Sequence, residues 1–229
     1  MDALVPIIVQ ARTGSSRCPA KVMRTVAGRR LIDYTLDALE LCRAGRPLIV
    51  ATSDDPLDDA LAAHCAARLT PVIRGPLHDV AGRFRVVLEQ FPVTAFVRVS
   101  GDSPLIDHRL VDRAVDIFRT QKPDLVSNVV ERTYPKGQSV EVIRAAAFLE
   151  AEADMDNASD REHVTPVFYR NADRYDIVSL KADRNLGQAS MVIDTEQEFS
   201  RFRSFAHKLE QPAWRYRWHE LAPRIAEAG

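Results

Sequence analysis

Short apolar runs alternate with amphipathic stretches through the first two-thirds of the chain. The runs Pro6–Val9, Pro47–Thr52, Pro71–Ile73, Ala95–Ser100, Leu125–Val129 and Val140–Ile143 predict strands. Between them, Leu31, Tyr34, Ala38 and Leu41 recur at helical spacing, as do Leu57, Leu61, His64 and Cys65. Val80, Phe84, Val87 and Phe91 make a third such face, and Leu110, Ala114, Ile117 and Phe118 a fourth. Strands that alternate with helices predict βαβ units and a mostly parallel sheet, an α/β fold.

The last third is less regular. A polar helix is expected from about Ser159 into Tyr169, followed by apolar runs at Tyr175–Leu180 and Ser190–Ile193. "DTEQEFSRF" then opens a helix with Asp194 or Thr195 as its N-cap. Val129 to Ser139 reads as a loop or an extension over the sheet, and the C-terminal segment contains a short amphipathic packing helix. No linker, repeat or low-complexity tract divides the chain, so residues 1–229 are expected to form one domain.

Composition narrows the classes. With 31 basic and 32 acidic residues the chain advertises no polyanion-binding surface, so nucleic acid is not an expected partner and any positive site is local. Cys18, Cys42 and Cys65 share no metal or redox spacing and read as reduced thiols in a cytoplasmic protein. No segment approaches a membrane span, and the run Leu4–Val9 is too short for a signal-peptide core.

The turn after the first strand concentrates positive charge: Arg12, Gly14, Ser15, Ser16, Arg17 and Lys21. In open α/β sheets such turns, beyond the carboxyl ends of strands, hold the ligand. The three-glycine dinucleotide fingerprint is absent, and so is the P-loop pattern. A turn of this kind suits a triphosphate gripped by side chains, the arginines as forks and the lysine as a point charge; the bland reading is a solvated basic turn. Triphosphate chemistry usually employs Mg²⁺, which takes one or two carboxylates. Asp102 stands just past the fourth strand in "VRVSGDSPLID", and Asp194 ends a late apolar run in "VIDTEQEF". Each has a bland alternative, Asp102 as a turn cap and Asp194 as a helix cap.

Taken in order, "IIVQARTGSSRCPAKVM", "VATSDDPLDDA", "VIRGPLHDVAGRF", "VRVSGDSPLID", "YPKGQSVEVI", "DREHVTPVFY" and "VIDTEQEF" resemble the cytidylyltransferases. The likeness is greatest to the branch named after a spore coat polysaccharide biosynthesis protein, with the synthetases of CMP-sialic acid and CMP-Kdo as more distant relatives. It implies a Rossmann-like nucleotidyltransferase fold, three-layered, with a small extension from the C-terminal half. It also implies CTP as substrate, Mg²⁺ as cofactor, transfer of CMP to an acceptor, release of pyrophosphate, and a homodimer. Carried over by motif, Arg12 and Lys21 hold the triphosphate with Ser15, Ser16 and Arg17 in support, and Asp102 and Asp194 ligate Mg²⁺. Cytosine and ribose lie near Ala11, Thr52, Ser53 and Asp54, with Arg74, Asp79 and Ser100 lining the pocket.

Acceptor recognition falls to the second half: Asn128, Lys136, Glu141, Arg161, Glu162 and His163. Arg161 and Glu162 also read as a solvated helix face, His163 as an interior histidine, and His64 as structural. The cations suggest a small anionic acceptor, either a sugar acid attacking through a hydroxyl or a phosphorylated or phosphonate compound. Ser139 stands where relatives usually carry Asp, which puts a familiar acceptor in doubt. Two other readings stay open: a nucleotidyltransferase with another base preference, and a non-catalytic nucleotide-binding module of the same fold.

Overall fold

The computed structural model describes residues 4–227. The first apolar run forms β1 (Ile7–Gln10), and a small ribbon of β2 (Thr25–Val26) and β3 (Arg29–Arg30) leads into α1 (Leu31–Leu39). Then follow β4 (Leu48–Ser53), α2 (Asp59–Ala67), β5 (Val72–Gly75), α3 (Val80–Gln90), β6 (Ala95–Ser100) and α4 (His108–Gln121). The second half comprises β7 (Leu125–Ser127), β8 (Glu141–Arg144), α5 (Ala145–Ala153), α6 (Ala158–His163), α7 (Pro166–Arg170), β9 (Ile177–Ser179), α8 (Glu196–Ala206) and α9 (Trp218–Ala226).

Seven strands pair in the order β5-β4-β1-β6-β8-β7-β9. All neighbours run parallel except at β8, which is antiparallel to both β6 and β7. The sheet is therefore mostly parallel, as the alternating pattern predicts. Because side chains alternate along a strand, the sheet has two apolar faces. Ile7, Val9, Val50, Val97 and Val142 pack with Leu36 and Leu39 of α1 and Val111 and Val115 of α4. Ile8, Ile49, Phe96 and Ile143 pack with Phe84 of α3, Phe148 of α5 and Phe168 of α7. Helices on both faces complete three layers, with a smaller third core beside them. There Phe199, Phe202 and Phe205 of α8 and Leu221 and Ile225 of α9 meet Leu31 and Tyr34.

Three expectations change. The helix expected across Ser159–Tyr169 is two helices, because Pro166 has no N–H to continue the helical ladder and instead takes the first position of a new helix. Val164 sits between them at φ 69°, and the Thr165 N–H closes a tight turn on His163 O at 2.8 Å. The run Ser190–Ile193 is not a sheet strand; it makes a single bridge, Lys136 to Ser190, and buries Met191 and Ile193. Val129 to Ser139 carries no strand or helix, but it is pinned rather than extended, with Tyr134 and Gln138 fully buried. No helix among the described residues is long and apolar enough to cross a membrane.

On the α3–α5 side, Phe96 stacks on Phe84 at 5.5 Å between centroids and meets Phe148 edge-on at 5.4 Å. Phe96→Ala is expected to cost about 3–5 kcal/mol, read as a shift in the denaturant midpoint; a loss below about 1 kcal/mol would mean that this cluster does not hold the two helices to the sheet.

Candidate active site

The carboxyl ends of β1, β4 and β6 all open on one edge of the sheet, and the basic turn lies across it. Its geometry comes from a buried carboxylate. Asp58, just before α2, accepts from the Thr13 N–H at 2.6 Å and from the Thr13 hydroxyl at 2.7 Å. Its second oxygen accepts from the Ser53 hydroxyl and the Ser53 N–H. One side chain thus ties the turn to the end of β4. Burial pushes the Asp58 carboxyl up, but the Ser53 and Thr13 donors outweigh it and hold the group below its ordinary value. Cys18 is buried beneath the turn, where burial, and a hydrogen bond involving Glu196, raise its thiol above the ordinary value, so it is not poised as a nucleophile.

Past Ala20, in the left-handed region at φ 51°, a single 3-10 turn carries Lys21 inward. The ammonium group lies 2.8 Å from Asp102 Oδ2 and 2.8 Å from Asp194 Oδ1, with the residue 6% exposed. Burial lowers the lysine's pKa, yet the two carboxylates more than reverse this and hold it above its usual value. Asp102 reaches the site because Gly101 lets β6 leave beside the turn. A Cβ there would stand 2.8 Å from the Ala11 Cβ and 2.9 Å from the Ile32 Cδ1. Its other oxygen accepts from the Ser100 hydroxyl at 2.7 Å. Asp194 is delivered by a capping box in which Thr195, not Asp194, caps α8. Glu198 N–H donates to Thr195 Oγ1 at 3.2 Å, while Thr195 N–H donates to Glu198 at 2.9 Å. That division of labour leaves the Asp194 carboxylate for the site. Ile193 N–H donates to Asp102 O at 3.1 Å and locks the two segments together.

Around this centre is a cavity of about 450 Å³. One wall is the turn, with Ala11, Arg12, Gly14, Ser15, Ser16, Arg17, Lys21 and Val22; Gln10, Ser100, Asp102 and Asp194 lie at the strand ends. Across from them stand Val80 and Arg83 of α3 and Glu162 and His163 of α6. Arg12 reaches Glu162 at 2.9 Å, and Arg17 lies 3.4 Å from Asp194. His163 is solvent-exposed rather than interior, and it lines this cavity. A wider depression of about 910 Å³ runs along α4. There Asp112 accepts from the Arg43 and Ala44 N–H groups, and Arg119 donates to Ala44 O.

Several residues named from the sequence lie elsewhere. Thr52 and Ser53 are buried, and Asp54 is exposed outside the cavity wall. Arg74 donates to Ser53 O at 2.8 Å and pairs with Asp59 at 2.7 Å. Asp79 caps α3 through Gly82 N–H at 2.7 Å and faces Arg161, which also pairs with Glu152. Asn128 donates to Gln138 O at 2.6 Å, Lys136 bridges to Ser190, and Ser139 faces Arg132. His64 meets Asp33 at 2.7 Å and is structural, as expected. Glu141 reaches the cavity only indirectly. It accepts from Arg98 at 2.5 Å, whose Nε donates to the Gln10 side-chain oxygen Oε1 at 2.9 Å, and from Tyr169 at 2.5 Å. The residues missed are Gln10, Val22, Val80 and Arg83 of the cavity wall and Asp58 behind the turn. The strand-end position of Gln10 offered a signal, whereas Asp58 and Arg83 sit among ordinary helix-flanking charges.

A family model of the cytidylyltransferases matches residues 6–217. The chain belongs to the cytidylyltransferase family. It is therefore a nucleotidyltransferase, and the resemblance carried by the seven motifs holds. It is 28% identical over 208 residues to the Bacillus subtilis spore coat polysaccharide biosynthesis protein SpsF, covering 88% of this chain and 85% of that one. A cytidylyltransferase structure from Leptospira borgpetersenii superposes with a TM-score of 0.91 at 22% identity, covering 98% and 94% of the two chains. The structure of CMP-2-keto-3-deoxy-manno-octonic acid synthetase complexed with CTP superposes at 0.68 and 17% identity, covering 90% and 100%. Both structures share the fold of this cytidylyltransferase.

Asp58→Ala is expected to destabilise the chain by about 2–4 kcal/mol, since it strands buried donors of Thr13 and Ser53. The Asp58 carboxyl is depressed in the folded state, so its contribution is present above the ordinary carboxylate range and fades as pH falls through the folded value. Wild type should accordingly lose its advantage over Asp58→Ala below about pH 4; melting curves that stay parallel down to acid would refute the role.

Proposed function

We propose that the protein transfers CMP from CTP to a small anionic acceptor and releases pyrophosphate, with Mg²⁺ as cofactor. The observation that carries this reading is the Lys21 ammonium held 2.8 Å from both Asp102 and Asp194 at the wall of a cavity rich in arginine and serine. Asp102 and Asp194 would hold the metal. Among the described residues no three His, Cys, Asp or Glu side chains converge, so the protein offers two carboxylates. That set fits Mg²⁺, which completes its shell with phosphate oxygens and water. When bound, the ion supplies charge neutralisation at the triphosphate.

The protein's own residues do the rest. Arg12, Arg17 and Lys21, with the Ser15 and Ser16 hydroxyls, bind the phosphates and take up charge that develops on the departing pyrophosphate. Arg12 is held by Glu162 at 2.9 Å and exchanges that partner for a phosphate oxygen. An acceptor oxygen attacks the α-phosphorus in line, a bond to it forms, and the bond to the β-phosphate oxygen breaks; an acceptor hydroxyl gives up its proton to water, whereas an ionised phosphate or phosphonate oxygen has none to lose. Glu162 and His163 stand on the open side of the cavity, where an acceptor enters. No protein nucleophile is needed, in keeping with the buried Cys18. The acceptor is a sugar acid or a phosphate- or phosphonate-bearing compound, and the polysaccharide biosynthesis in the name of the spore coat relative supports the sugar acid alone.

A screen of pyrophosphate release with each NTP against sugar acids, sugar phosphates and phosphonates tests the reaction; release with CTP and one acceptor class is expected, and none with any pair sinks the proposal. Asp102→Asn should lower turnover by about a hundredfold or more while leaving the melting temperature near wild type, and near-normal activity would remove Asp102 from the metal site. Lys21→Ala should lower both CTP affinity and turnover; an unchanged rate would make that lysine a bystander.

A further inference from the structure

The Gln10 amide lies in the cavity wall at the end of β1, and its surroundings fix which way round it sits. Gln10 Oε1 accepts from Arg98 Nε at 2.9 Å. A guanidinium has no lone pair to offer, so only the oxygen of the amide can face it, and the NH2 end is turned away. Arg98 is itself held, its Nη1 donating to Glu141 Oε2 at 2.5 Å. Glu141 is 2% exposed, and its other oxygen accepts from the Tyr169 hydroxyl at 2.5 Å. The tyrosine's single proton is committed there, so the Ser127 hydroxyl donates to Tyr169 at 2.9 Å. The Val129 N–H in turn donates to Ser127 Oγ at 3.0 Å.

Gln10, Arg98, Glu141 and Ser127 stand on β1, β6, β8 and β7, which are neighbours in that order across the sheet. Each is two residues from a member of one core, Ile8, Phe96, Ile143 and Leu125, so alternation puts all four on the face covered by α3 and α5. On that side the cavity is walled by Val80 and Arg83 of α3 and by Glu162 and His163 of α6. A row in which each donor meets an acceptor has one direction, and here it ends in an NH2 group for which no described residue supplies an acceptor. The end of the row is completed by an oxygen of a ligand.

Resting on the reading of CMP transfer at this site, we propose that Gln10 orients the acceptor: its NH2 group donates to an oxygen of the acceptor's acid group, carboxylate, phosphate or phosphonate. Arg98, Glu141 and Tyr169 are positioning residues that hold the amide the right way round. The phosphates of the nucleotide have their own cations in the turn, Arg12, Arg17 and Lys21. Gln10 pairs in register with Ser100, whose hydroxyl donates to Asp102 at 2.7 Å, so the amide stands beside a metal-binding carboxylate on the side where the acceptor enters. A neutral donor suits that place. It fixes an anionic group by hydrogen bonding without adding a charge that would compete with the turn for the triphosphate.

The test compares wild type with Gln10→Leu, Gln10→Glu and Tyr169→Phe. Pyrophosphate release is followed with CTP and Mg²⁺ against 3-deoxy-manno-octulosonate as the sugar acid and phosphonoacetate as the phosphonate, and CTP binding with Mg²⁺ is measured by calorimetry. Gln10→Glu keeps the length of the side chain and an oxygen for Arg98 but has no N–H. Both Gln10 variants are expected to raise KM for the acceptor that wild type uses by about tenfold or more, with CTP affinity changed by less than about threefold. Tyr169→Phe, which removes the donor to Glu141 with little change of shape, should raise the same KM by a smaller factor, about threefold. Wild-type kinetics in Gln10→Glu beside a loss in Gln10→Leu would make Gln10 a support for Arg98 and overturn the inference. Weakening of CTP in step with the acceptor would make the amide a nucleotide ligand and overturn it as well. Should Gln10→Leu melt well below wild type, Gln10→Glu decides the comparison. Release from wild type with neither acceptor sinks the transfer reading and the inference with it, whereas release with an unchanged acceptor KM in both Gln10 variants sinks the inference alone.

Discussion

The contact of Lys21 with Asp102 and Asp194 is the constraint around which the site is organised. Each carboxylate lies 2.8 Å from the ammonium group, and the three residues come from the first turn, the exit of β6 and the approach to α8. Two carboxylates this close to one centre repel each other, and the repulsion is tolerable only with a cation between them. Parallel strands make the meeting possible, since β1 and β6 are neighbours whose carboxyl ends emerge on the same edge. Asp194, on the approach to α8, is tied alongside by the Ile193 N–H donating to Asp102 O at 3.1 Å.

A second layer of interactions keeps this centre in place without entering it. Asp58 binds the Thr13 N–H and hydroxyl and so fixes how far the turn stands from the sheet. On the other flank, Gln10, Arg98, Glu141 and Tyr169 of α7 form a hydrogen-bonded row. Burial and the adjacent Glu141 carboxylate raise the Tyr169 phenol well above its ordinary value, so it remains a donor to that carboxylate. The row holds the Gln10 amide, which lies in the cavity wall. Both devices spend buried polar groups on position, and each is satisfied by named partners.

The alternation of apolar runs and amphipathic helices was sufficient for the layered architecture, because burial on both faces of a parallel sheet imposes that pattern. It failed where burial is not periodic. Ser190–Ile193 is apolar because Met191 and Ile193 enter the third core, not because they join a sheet. Pro166 was visible between Ser159 and Tyr169, yet the helical pattern masked the break it makes. The basic turn and both aspartates were legible because charge at strand ends has few structural uses. Arg74, Asp79, Asn128, Glu141 and Arg161 looked equivalent to them by position, but their side chains are engaged in pairings outside the cavity wall.

What the sequence determined by itself was the set of elements, the family through its ordered motifs, and the charge at the first turn. The choice between Asp194 and Thr195 as helix cap was left to the tertiary structure, which gave the cap to Thr195 and freed Asp194 for Lys21. It likewise decided that Arg83 stands alone while Arg161, a similar residue in a similar helix, is paired three ways. The reason is physical. Periodicity reports which face of an element is buried, but whether a buried charge has a partner depends on residues that approach from elsewhere in the chain.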